Sequence, residues 1–493
     1  MYKSAEGFLC CFVAAGLSLL VQAEHLLADD GWLGPGGSNV LAVHALGEQG
    51  EGINIGLIAA DNARKTHEAF RDDSGRSRVV CYDYTGEGSY RVSDHDTWVA
   101  GIVCSGGGRG HENDIGVAPK ARLVSAKVTR GIAGPEDPNK TTSFAYFAGA
   151  VDSLVNTHRC RIIVTGLAFP DSPTHRPDGN SDWSLLYDYY AWKHNVIFAN
   201  ASGKEFHAPV VFGDSYNGIT TGGLVLTEPN TYGQVGKASN SGPTIDGRRK
   251  PDVVVPADGI WVPNGGSDTA WYTWPHHDGP TSLAAPNIAG VAALLLGLAD
   301  RTPEPNDARN VVVKAVVINA ANTAVLDKAG VPTETNGGAD IWHPDRGFGR
   351  IDTLRSYNLL KSGRVVPDKA IGVFSGWAYE ALSAGQEHVY RIGCRQGDRL
   401  LCTLVWNRPV RWTDARGRGF IDTGELEGLY VSLTLSITAP GAGTAAQSNA
   451  NRRDNVVKET VMIQRDGEAR VRVSCLADSG ERVPYGLAFE VLR

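Results

Sequence analysis

Residues Ile288 to Leu296 carry no polar side chain on any face, and a helix with no polar face is stable only when other elements surround it. Such a segment calls for a layered domain built around it. Pro286 lies just ahead of the run; lacking an amide hydrogen, it is harmless only in a first turn, which predicts a helix beginning near Ser282. From Gly50 to about Leu360, apolar strand-like runs alternate with helical stretches, the pattern of a parallel sheet covered by helices on both faces. Ile53 to Ile58, Leu123 to Val128, Arg161 to Thr165 and Asn195 to Ala199 are the clearest strands. Beyond about Pro367 the period changes to two. Val431, Leu433, Leu435 and Ile437 alternate with Ser432, Thr434 and Ser436, and Val471, Val473 and Cys475 repeat the pattern. This half is expected to form an antiparallel β-sandwich of roughly 125 residues, joined to the first through the polar stretch Lys361 to Arg364.

Lys3, the apolar run Phe8 to Val21 and the small-residue site Val21-Gln22-Ala23 together have the form of a signal peptide, so the mature chain is expected to be secreted or periplasmic. The apolar run is shorter than the roughly 20 residues a spanning helix needs, which argues against a membrane partner after cleavage. The expected partition is a signal peptide over 1–23, a short segment over 24–49, an α/β domain over 50–360 and an all-β sandwich over 361–493. The formal net charge of -7 is spread without a concentrated basic stretch, which excludes a nucleic-acid partner. Six cysteines follow the signal: Cys81, Cys104, Cys160, Cys394, Cys402 and Cys475. They fit disulfides or ordinary buried thiols equally; no CxxC spacing suggests zinc.

A helix beginning near Ser282 places that hydroxyl beside free backbone amides, which suits a nucleophile that must pass charge to a carbonyl oxygen; an N-cap serine is the plain alternative. The surrounding segment, Thr281-Ser282-Leu283-Ala284-Ala285-Pro286, resembles the serine signature of the subtilase family, with Pro280 where that family has glycine. His95-Asp96-Thr97-Trp98-Val99-Ala100-Gly101 is similar to the family's histidine segment, His-Gly-Thr-His-Val-Ala-Gly. It is followed, as in subtilases, by Gly116-Val117-Ala118-Pro119. Ser93 or Asp94 can cap the helix that starts there, leaving His95 on its first turn. The turn and strand Ser239 to Pro256 and the closing segment Gly347-Phe348-Gly349-Arg350-Ile351-Asp352 extend the resemblance over about Gly50 to Leu360. It implies a subtilisin-like, mostly parallel sheet flanked by helices, with a β-sandwich after it as in some bacterial subtilases. It also implies a serine endopeptidase acting on protein or peptide substrates, with Ser282 as nucleophile, His95 as base and no cofactor.

The third member of the triad is less direct. Gly50 to Ile58 matches the family's first strand, and a gapless register puts Ala59 where the aspartate belongs, with Asp61 two residues later. Asp61 serves as the orienting carboxylate only if the strand end carries a bulge, since residues two apart lie roughly 6 to 7 Å from one another. The register stays open between the two. Gly203 stands where subtilases have the oxyanion asparagine, with Asn200 and Ser202 as neighbours able to donate, and Gly166-Leu167-Ala168 replaces the family's Ser-Leu-Gly. The segment from Ala23 to Gly50 is too short for the folded propeptide of many subtilases. These departures, with Asp96 and Trp98, leave a second reading open: a non-catalytic binding or surface-interaction protein on a subtilase scaffold. In the sandwich, Asp414 to Glu425 has the spacing of a calcium loop, but Arg416 and Arg418 occupy two ligand positions, so the loop is expected to be degenerate.

Overall fold

The computed structural model describes residues 31–88, 90–131, 141–167, 176–204, 207–334, 341–441, 446–448 and 453–493. The expected signal peptide and the first residues after it lie outside the described residues. The first domain is built on an eight-stranded sheet of β1 (Asn54–Ala59), β2 (Val79–Asp83), β3 (Arg122–Lys127), β4 (Ile162–Thr165), β5 (Ile197–Ala201), β6 (Ile219–Glu228), β7 (Thr231–Val235) and β8 (Val253–Pro256). Their order is β7-β6-β5-β4-β1-β3-β2, with β8 also on β6. Every pairing is parallel except β6 with β7. The four strands expected from the sequence each lie within two residues of an observed one. Their inner residues, among them Leu57, Ala59, Leu123, Ile162 and Phe198, are fully buried because parallel strands are covered on both faces.

Six helices matter for the site and the domain seam: α1 (Asp94–Cys104), α2 (Phe144–Asp152), α3 (Asp182–His194), α4 (Thr281–Ala299), α5 (Asn310–Ala320) and α6 (Thr353–Lys361). α4 is the apolar helix foreseen from the sequence and is the central element of the core, packing against β4, β5, β6, β8 and α1. Every residue of α4 except Ser282 is buried. It begins at Thr281, so Pro286 sits in the second turn rather than the first. The amide that proline lacks would have met the carbonyl of Ser282, four residues earlier, so the missing bond falls next to the exposed end of the helix.

The C-terminal part of the chain, from Ala370, is a sandwich. One sheet runs β11 (Ser375–Leu382), β19 (Val483–Leu492), β13 (Arg399–Trp406), β17 (Val456–Met462). The other holds Ala370–Ile371, β12 (Glu387–Cys394), β18 (Gly467–Ala477), β16 (Ser432–Thr438) and Ala446–Ser448. All pairings are antiparallel apart from the two-residue strand Ala370–Ile371. The period-two residues Leu433, Leu435, Ile437, Val471 and Val473 point into this second core. The first sheet of the sandwich lies directly on α5. A Cβ on Gly486 would sit 2.5 Å from the Val311 carbonyl, so only glycine lets strand and helix backbones approach this closely. Polar pairs pin the seam: in its buried part Thr403 Oγ1 donates to Asn319 Oδ1 at 2.9 Å, and nearer its edges Asn319 donates to Glu490 at 3.2 Å and Arg249 pairs with Asp454 at 2.6 Å.

The six cysteines after the expected signal are all free thiols. Burial pushes Cys81 and Cys160 up to about 12 and Cys104 and Cys394 up to about 11, so they are protonated packing residues.

Candidate active site

Helix α1 packs on α4. Each presents its second residue. Ser282 is the half-exposed residue of α4, and His95 of α1 keeps 36% of its side chain in contact with solvent. Ser93 caps α1, its Oγ accepting from the Asp96 amide at 3.1 Å. Pro280 precedes α4 at φ -65°, ψ 127°, a conformation its ring prefers, and supplies no side-chain cap. The first-turn amides of Thr281 and Ser282 have no partner within the helix, so they are available to an oxyanion formed at Ser282. The hydroxyl of Thr281 is buried and accepts from the Gly203 amide at 3.1 Å, fastening the loop after β5 to the start of α4.

Gly203 lies at φ +92°, and a Cβ there would sit 2.6 Å from Val210 and 2.9 Å from the amide nitrogen of Asn240. No side chain fits where subtilases carry the oxyanion asparagine. Of the neighbours considered for that task, Asn200 is engaged elsewhere, its Nδ2 donating to the Phe212 carbonyl at 2.8 Å and Ser215 Oγ at 3.0 Å, and Ser202 is fully buried with no partner for its hydroxyl among the described residues.

The carboxylates fall as follows. The chain leaving β1 runs alongside the segment ahead of α1: the Asn62 amide donates to the Arg91 carbonyl at 2.9 Å, and the Ser93 amide to the Asn62 carbonyl at 3.0 Å. Asp61 is buried in this junction. Its Oδ1 accepts from Arg91 Nε at 3.0 Å, and Arg91 also bonds Glu87 at 2.9 Å. Asp61, expected from the sequence to orient His95, therefore has its side chain engaged by a guanidinium. Beside the imidazole stands Asp96, with Oδ1 3.9 Å from His95 Nδ1 and Oδ2 accepting from the Asp61 amide at 3.0 Å. Gly166, just past β4, closes over both. A Cβ there would lie 3.2 Å from Asp96 Oδ1 and 3.6 Å from His95 Cε1. Ala168, the last residue of that altered segment, lies outside the described residues.

An aromatic wall flanks His95. Trp98 stacks on Tyr272 with centroids 4.5 Å apart, meets Trp274 edge-on at 6.2 Å, and donates from Nε1 to Asn264 at 3.3 Å. Tyr272 belongs to the hairpin of β9 (Trp261–Pro263) and β10 (Trp271–Thr273), which reaches α1 because Gly101 has no Cβ to strike Pro263. His67 lies beneath the same hairpin. It accepts from the Ala69 amide through Nδ1, meets the Ala270 carbonyl through Nε2, and has its pKa lowered chiefly by burial. The wall and Asp96 were not read from the sequence as parts of a site. The signals were present: Trp271-Tyr272-Thr273-Trp274 is a dense aromatic run, and Asp96 gains a carboxylate near the position where Ala59 lacks one.

In the second domain, Asp414 to Glu425 folds with internal cations. Arg416 reaches Asp422 at 2.5 Å and Arg418 pairs with the same carboxylate, while Asp414 accepts the Arg418 and Gly419 amides at 2.8 Å each.

A serine and a histidine, each in the first turn of one of two helices that pack together on a parallel sheet flanked by helices, define the class of subtilisin-like α/β proteins. The subtilase family model matches residues 44–349, more than half of the chain, and the chain belongs to that family. Pyrolysin of Pyrococcus furiosus is 24% identical over 302 residues, which is 56% of this chain but only 20% of that much longer protein. The structure of the Clostridium perfringens CspB protease superposes with a TM-score of 0.50 at 15% identity, covering 65% of this chain and 97% of the other, and shows the shared fold.

Proposed function

We propose that this chain is an exported subtilisin-like serine endopeptidase in which Ser282 attacks the scissile carbonyl of a protein or peptide and His95 takes and returns the proton. The observation that carries the reading is the exposure of Ser282 alone in an otherwise buried helix, at the uncapped N-terminus of α4, which packs on the helix of His95. The first-turn amides receive the tetrahedral oxyanion. With Gly203 in place of the asparagine donor, turnover is expected to be about a hundredfold to a thousandfold below that of an otherwise equal site. Export rests on the signal-like features of Met1 to Ala23, and N-terminal sequencing of protein recovered outside the cytoplasm, with a start near residue 24, tests it.

The same substitution, together with the Arg91 bond that engages Asp61, favours the rival reading of a binding or surface-interaction protein without catalysis. Treatment with a fluorophosphonate separates the two. Labelling lost in Ser282→Ala supports the peptidase; no Ser282-dependent labelling and no peptide hydrolysis at neutral or alkaline pH rejects it.

A further inference from the structure

We infer that Asp96, the residue following the base on the same helix, is the carboxylate that positions His95. The inference rests on the reading of Ser282 and His95 as nucleophile and base. An imidazole acting as base needs an acceptor on its far nitrogen that fixes its tautomer and steadies its protonated form. Three observations assign that task to Asp96.

Its Oδ1 is completely buried, faces His95 Nδ1 at 3.9 Å, and has no hydrogen-bond partner among the described residues. A buried carboxylate oxygen without a donor is unfavourable, and the Nδ1 proton of His95 is the donor at hand. The other oxygen is held by the Asp61 amide at 3.0 Å, which sets the carboxylate plane. The end of β1, where the family resemblance expects an aspartate side chain, thus contributes a backbone donor, and the carboxylate arrives from α1. Finally, Gly166 leaves the space this arrangement needs, since its missing Cβ would lie 3.2 Å from Asp96 Oδ1. Asp61 has a different part: its side chain neutralises Arg91 and its amide holds Asp96. The separation of 3.9 Å closes to hydrogen-bond length by a small rotation of the half-exposed ring, as catalytic contacts commonly do when substrate binds.

The test compares fluorophosphonate labelling of Ser282 and the ring 15N shifts of His95 in the full chain, as wild type, Asp96→Asn and Asp61→Asn. Asp96→Asn is expected to slow labelling about a hundredfold to ten-thousandfold and to move the His95 15N signals away from the Nδ1–H tautomer. Asp61→Asn, which keeps the backbone amide that holds Asp96, is expected to leave the His95 tautomer unchanged. If Asp96→Asn fails to fold, Asp96→Gly carries the same prediction with the residue subtilases have there. Labelling and 15N shifts unchanged on loss of the Asp96 carboxylate would overturn the inference while leaving the peptidase reading intact. A wild type that does not label rejects the peptidase reading, and the 15N comparison then still decides whether Asp96 holds the ring.

Discussion

Lys458 reports on how the sandwich is seated against the first domain. It is buried between β17 and the C-terminal end of α5, where Nζ donates to the carbonyls of Ile318 at 2.8 Å and Asn319 at 3.2 Å. Burial, reinforced by Arg355 and Arg346, lowers its pKa from 10.5 to about 7. Below pH 7 the folded and unfolded chains both carry the proton, and the folded state bears the full cost of a buried charge. Between about 7 and 10.5 the unfolded chain keeps a proton that the folded one has lost, so this group makes the protein more stable as pH rises. Integrated from pH 7 to pH 9, the gain is about 2 kcal/mol. Lys458→Met keeps the chain's bulk and removes the titrating group. Urea unfolding of both proteins at pH 7, 8 and 9 should therefore show a rise smaller by about 2 kcal/mol in the variant. Taking the difference cancels the buried thiols, whose raised pKa values work in the opposite sense above pH 9. Stability curves that run parallel for the two proteins would refute a buried, proton-shedding lysine at the seam.

Restoring the family's asparagine by Gly203→Asn is expected to harm the protein. The left-handed backbone at φ +92° and the contacts at 2.6 and 2.9 Å together cost about 2 kcal/mol or more, so melting temperature and the rate of Ser282 labelling should both fall. The loop Asp414 to Glu425 should not respond to calcium, because Arg416 and Arg418 already neutralise Asp422. The pair Arg416→Asp with Arg418→Asn should create a calcium-dependent rise in melting temperature, read by unfolding with calcium or with a chelator. A thiol reagent at pH 8 should leave Cys104, Cys160, Cys394, Cys402 and Cys475 untouched in the folded protein and titrate these five together with Cys81 once denaturant is added. Rapid reaction of any of these five in the native state would contradict their burial.

The parts legible in the sequence share a physical reason: each was encoded within one element. The period-two residues of β16 and β18 must alternate faces wherever the strand lies, and an all-apolar α4 must be enclosed by something. Ser282 and His95 were found because a helix N-terminus can be read from the residues that start it. The carboxylate was different. Successive residues on a helix point about 100° apart, so Asp96 beside His95 reads as a residue facing elsewhere. What brings Asp96 back to the ring lies outside α1: the Asp61 amide holds one oxygen, and Gly166 leaves room for the other. These positions are separated from Asp96 by 35 and 70 residues of chain, and no local pattern links them. The usable signal was a pair of departures read together, a carboxylate absent at Ala59 and another gained at Asp96. Each looks like decay of the site when taken singly. Taken as a pair across one junction, they describe a carboxylate that keeps its place beside the imidazole while the chain supplying it changes from a strand to a helix.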